Sequence, residues 1–68
     1  MKAEDIKREI ERRGWDWVVY SHKYCKMGRF RCDIITPEDI QLIGQAVADL
    51  EEEAVRLALQ DAVEETEK

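Results

Sequence analysis

The sequence predicts a small α+β domain: a short N-terminal helix, a β-hairpin and a long C-terminal helix (αββα), completed by self-association. Three observations predict it. Apolar residues recur at steps of three and four near the N-terminus and again from Ile40 to Leu57. Between these segments the chain is rich in aromatic and β-branched residues. Thr36-Pro37 carries a helix start signal. The expected boundaries within one domain over 1–68 are helix 2–13, hairpin 15–35 and helix 37–63.

In the first helix Ala3, Ile6 and Ile10 form a narrow apolar stripe among Lys, Arg and Glu, and Gly14 stands where a C′ glycine ends a helix. Arg12 and Arg13 fall in its last turn, where positive charge suits the negative end of the helix dipole.

The first strand is read from Trp15-Asp16-Trp17-Val18-Val19-Tyr20-Ser21-His22. The second is read from Arg29-Phe30-Arg31-Cys32-Asp33-Ile34-Ile35, which alternates polar with apolar. A three-residue loop, Lys26-Met27-Gly28, would place glycine where a left-handed residue is needed and set Tyr20 opposite Ile34 and His22 opposite Cys32. A two-residue loop would instead put Trp15, Trp17 and Val19 on one face with Phe30, Cys32 and Ile34. The first register is favoured, and a slip of one residue swaps the faces. In that register both faces of the hairpin are apolar, more than one helix can cover, and an isolated two-stranded sheet is marginal in water.

For the second helix, Thr36 has the side chain of an N-cap, Pro37 suits the first helical position, and Asp39 can reach back in a capping box. Ile40, Ile43, Val47 and Leu50 lie on one stripe, and Gly44 is the single glycine. Beyond Ala54 the apolar residues spread over more than half the circumference, a width that normally meets more than one neighbour. Such a helix would be about 42 Å long and would overhang the hairpin. Ala54, Val55, Leu57, Ala58, Leu59 and Ala62 are therefore the expected interface of a homodimer.

Sixty-eight residues form one core of limited stability, which favours self-association. No apolar run reaches the length of a membrane span, and the N-terminus lacks the apolar stretch of a signal peptide, so a cytoplasmic location with reduced Cys25 and Cys32 is expected. The net charge of −5 conceals a division: residues 1–31 carry nine basic and five acidic groups, residues 32–68 two and eleven. An acidic half argues against wrapping nucleic acid over the whole surface and suits a basic partner.

His22, Cys25 and Cys32 are the only soft metal ligands, one short of a structural zinc set, so no metal or other cofactor is expected. The same residues could form a Cys–His dyad, but no oxyanion loop or orienting residue accompanies it, and no catalytic residue is assigned. Lys23, Tyr24, Lys26, Arg29 and Arg31 gather cations and an aromatic on the hairpin, a pattern that can hold phosphates and stack on bases. Cations there also guard sheet edges, and the acidic helix of a neighbouring subunit would satisfy them equally well; these two readings together are favoured over nucleic acid or nucleotide. Asp49, Glu51, Glu52 and Glu53 form the acidic surface offered to a partner. Trp15 and Trp17 share a strand face, and at least one is expected in the core.

The expected function is that of a non-enzymatic interaction protein that occupies the surface of another macromolecule. A very small, acidic, motif-free chain suits a phage or mobile-element accessory protein such as an inhibitor of a host defence system. The competing expectation is a nucleotide or nucleic-acid binder using the basic hairpin.

Overall fold

The computed structural model describes residues 2–21 and 30–67. The chain runs α1 (Ala3–Arg12), β1 (Asp16–Ser21), β2 (Phe30–Thr36), β3 (Gln41–Ala48) and α2 (Glu51–Thr66). The α+β class holds, with one strand more than expected: an antiparallel sheet ordered β1-β2-β3 lies between the two helices in sequence.

Helix α1 matches its sequence pattern. Ile6 and Ile10 are fully buried, and the helix ends in a Schellman motif. Gly14 takes φ 84°, its N–H donates to the Glu11 carbonyl, and the Trp15 N–H donates to the Ile10 carbonyl.

The β1–β2 register is the one that was not favoured in its choice of faces. Trp17 pairs with Ile34 and Val19 with Cys32, so these four point to one side, and Val18, Tyr20, Arg31 and Asp33 to the other. Burial decides this. Cys32 and Ile34 are fully buried beneath the helices with Trp17 and Val19 packed beside them, and a slip of one residue would drive Arg31 and Asp33 into that core. The expected Lys26-Met27-Gly28 loop lies outside the described residues.

The largest correction concerns residues 37–50. They do not begin a long helix; Thr36 ends β2, residues 37–40 turn, and Gln41–Ala48 form the third strand. The Ile40 N–H donates to the Thr36 carbonyl, closing the turn. Thr36 caps nothing, and its buried hydroxyl oxygen has no hydrogen-bond partner among the described residues. Helix α2 starts at Glu51, after an extended Leu50 at the N-cap position that makes no side-chain cap.

Tertiary packing overrides the local start signal here. A third strand occupies the second edge of β2, giving the three strands that independent stability asks of a sheet. Gly44, unfavourable within a helix, is required in β3: a Cβ there would lie 2.5 Å from the Ala58 carbonyl oxygen and 2.8 Å from the Ala62 Cβ. Small residues on both sides, Gly44 on the strand and Ala58 and Ala62 on the helix, let α2 sit close against β3. A register shift between Ile34 and Ile35 marks a bulge. It leaves Leu42 opposite Ile35 while Ile43 packs toward the core.

Both helices contact each other and share one core with Cys32 and Ile34, so they cover the same face of the sheet. The layer is tied together by Lys7 of α1, whose ammonium donates to Glu51 of α2 and sits 4.5 Å from the centre of the Trp17 ring. Trp17 Nε1–H in turn donates to Glu11 at 2.9 Å. Trp15 and Trp17 are both half-buried against the core, and Arg13 lies over the Trp15 ring.

Candidate functional site

Among the described residues, nothing covers the face of the sheet that is turned away from the helices. Along β2, the side chains that alternate away from the core are Arg31, Asp33 and Ile35. Val18 and Tyr20 flank them from β1, and Leu42, Gln45 and Val47 from β3, by the observed pairings. Val18, Tyr20, Leu42 and Val47 are all exposed large hydrophobic residues.

The centre of this face is polar and internally matched. Arg31 Nε–H donates to Asp33 Oδ1 at 3.0 Å and an Nη2–H to Oδ2 at 3.2 Å, the two-bond fork that guanidinium and carboxylate geometries favour. The guanidinium lies 5.5 Å from the Tyr20 ring centre, a cation–π contact. Were its amide turned so that the carbonyl faces Arg31, Gln45 would accept from Nε at 2.9 Å, sharing that proton with Asp33. Asp33 is only 8% exposed even though no helix lies over it. The arrangement gives a satisfied polar centre inside an apolar rim, which can set the orientation of a docked surface.

The expected site residues fall in three groups. Ala54, Val55, Ala58 and Ala62 are fully buried in the chain's own core, Leu59 packs against that core, and Leu57 is half-buried. The width of the apolar surface on α2 is therefore used by two neighbours within the chain, the sheet and α1, and these four interior side chains are not available to a second copy. Of the acidic set, Glu51 is half-buried and bonded to Lys7, while Asp49, Glu52 and Glu53 are exposed. Of the basic set, Lys23, Tyr24, Lys26 and Arg29 lie outside the described residues, as do His22 and Cys25. Arg31 stands at the centre of the uncovered face, engaged with Asp33.

Cys32 points the opposite way from Arg31, into the core, and burial pushes its thiol from 9.0 to about 12, with Asp33 and Glu51 adding to the rise and Lys7 opposing it. A buried thiol held protonated in this way is a poor nucleophile. Among the described residues no group of three His, Cys, Asp or Glu side chains is placed to hold a metal ion. Among them, too, no helix is long and apolar enough to cross a membrane.

Sequence reasoning missed the uncovered face because two of its strands were misplaced relative to each other and the third was read as helix. One signal was present: the alternation of Arg31, Asp33 and Ile35 against Cys32 and Ile34 already separates a mixed polar face from a buried one.

No family model matches the chain, and neither a curated protein nor a solved structure matches it.

Proposed function

We propose that the chain works without catalysis, as a small cytoplasmic interaction protein that occupies the surface of another, basic macromolecule. One observation carries this reading: charge is divided by layer. The three strands hold Asp16, Arg31 and Asp33 as their only charged residues, whereas α2 holds six acidic residues and a single cation, Arg56. Among the described residues the molecule thus has one nearly neutral face and one acidic side. Asp49, Glu52 and Glu53 lead the acidic side, exposed around the start of α2, and long-range attraction from such a surface acts mainly on the rate of association. An acidic start also favours the helix itself, so its bearing on a partner needs a direct test. The narrower assignment, a phage or mobile-element inhibitor of host defence, rests on small size, acidity and the lack of a catalytic motif.

The test is capture from a lysate by the full chain at two ionic strengths, beside the variant Asp49→Lys/Glu52→Lys/Glu53→Lys. Basic macromolecules retained by the wild type should be lost at high salt and lost by the variant. A retained set that ignores both changes would remove the acidic side from the mechanism.

A further inference from the structure

We infer that the uncovered face of the sheet is the docking surface for a second copy of this chain, packed sheet on sheet about a two-fold axis. The helices then lie outward on both sides, and the acidic sides of α2 remain accessible. Three independent observations lead to this occupant.

The first is charge. The whole chain carries −5, so two copies repel each other when they approach through their acidic helices. Among the described residues, the ionised groups on the uncovered face are Arg31 and Asp33, already bonded to each other, and Asp16 at the end of β1. Copies can meet there with little repulsion. Because the fork satisfies the polar centre from within, burying it leaves no carboxylate or guanidinium without a partner.

The second is area. The roughly 800 Å² per partner that standard-sized stable interfaces use is about a sixth of the 4971 Å² surface, so the contact takes in the sheet face together with its rim at Ile40. Val18, Tyr20, Leu42 and Val47 supply the apolar part, and aligned sheets pack face to face about 10 Å apart with such side chains interleaved.

The third is Ile40. It takes φ 52°, the left-handed region that β-branched residues avoid, and it is 78% exposed. Its only bond from the turn is a backbone N–H that any residue but proline would supply, and it packs in no core. Glycine or asparagine would close this turn with less strain. An isoleucine held there, next to Leu42 at one end of the face, is explained by contact with another molecule. Strain accepted within one chain is recovered when the side chain is buried by the next.

The experiment is sedimentation equilibrium of the full chain, with Ile40→Gly and Val47→Lys as variants and a thermal melt of each at a dilution where all are monomeric. The wild type should approach twice 8.0 kDa at high micromolar concentration. Val47→Lys should sediment as a monomer, and Ile40→Gly should raise the dissociation constant by about tenfold or more. Ile40→Gly should also melt higher as a monomer, because it relieves the turn while removing the contact. Should Val47→Lys fail to fold, Val18→Lys places the same charge on the other edge of the face. A wild type that stays monomeric overturns the inference, including the case in which it binds some other macromolecule through this face. So does a dimer whose mass ignores Ile40→Gly and the lysine variants, or an Ile40→Gly monomer that melts no higher. These residues are distinct from Asp49, Glu52 and Glu53, so this inference and the acidic-surface reading can fail separately.

Discussion

The two faces of the sheet are made by the same strands and have opposite tolerances. Beneath the helices, Cys32, Ile34, Gly44 and Ala46 meet Ala54, Ala58 and Ala62, and the layers approach so closely that Gly44 has no room for a Cβ. On the uncovered side, larger residues surround an ion pair, and among the described residues no helix packs on them. The difference teaches that the fold is specified from one side, leaving the other side's chemistry open to selection for something else. Gly44→Val should therefore have the largest effect of any single change. It forces α2 away from β3, and overpacking of this kind costs about 3 kcal/mol or prevents folding. Val47→Ala, on the other face, should cost under about 1 kcal/mol when measured at a dilution where the chain is monomeric. Equal denaturation midpoints for the two variants would mean that α2 is not seated on Gly44.

The next effect belongs to the centre of the uncovered face. Arg31→Met leaves Asp33, 8% exposed, without its fork, and a charged group deprived of its hydrogen bonds loses about 1–2 kcal/mol. The figure stays below that of a fully buried pair because the Arg31 side chain is 40% exposed. Arg31→Met with Asp33→Leu should recover most of the loss, since removing both charges leaves nothing unpaired. A double variant as unstable as the sum of the two single ones would show that the pair is uncoupled.

How much of this was legible depends on where the deciding physics lies. Helix α1, with Ile6 and Ile10 inward and Gly14 at its end, was readable because periodicity and cap agree within a dozen residues. The strand character of 16–21 and 30–36 was readable for the same reason. The segment 37–50 was not. Its Ile40, Ile43, Val47 and Leu50 mimic a helical stripe, and Thr36-Pro37 starts a turn as readily as a helix. What makes it a strand is non-local: the open edge of β2, and a helix fourteen residues further on that needs a glycine beneath it. Two warnings were present, Gly44 in a supposed helix interior and the abrupt widening of the apolar stripe past Leu50, where β3 has already ended and α2 begins. The candidate site inherited the error. The apolar width of α2 was assigned to a second copy although its inner side meets the chain's own sheet and α1, and Leu42, Gln45 and Val47 could not be placed on a face whose third strand was unrecognised.

The smallest effect sharpens the contrast from the covered side, where Cys32 is fully buried. Its thiol is raised from 9.0 to about 12, chiefly by burial and then by the nearby Asp33. The folded chain therefore keeps this proton above pH 9 while the unfolded chain releases it, so the unfolded state binds fewer protons and stability falls as pH rises. The contribution is fully present below about pH 9 and is lost progressively toward pH 12. By pH 10 the loss should be about 1 kcal/mol. Lysines and tyrosines titrate in the same range, so the measure is the difference between the wild type and Cys32→Ala in urea unfolding at pH 8 and pH 10. Cys32→Ala should show the shallower decline. In a Cys25→Ser background, iodoacetamide at pH 8 should modify Cys32 only as fast as the chain opens, and at full speed in denaturant. Identical pH slopes, or alkylation of the folded chain at the unfolded rate, would place Cys32 at a surface and undo the assignment of β2's two faces.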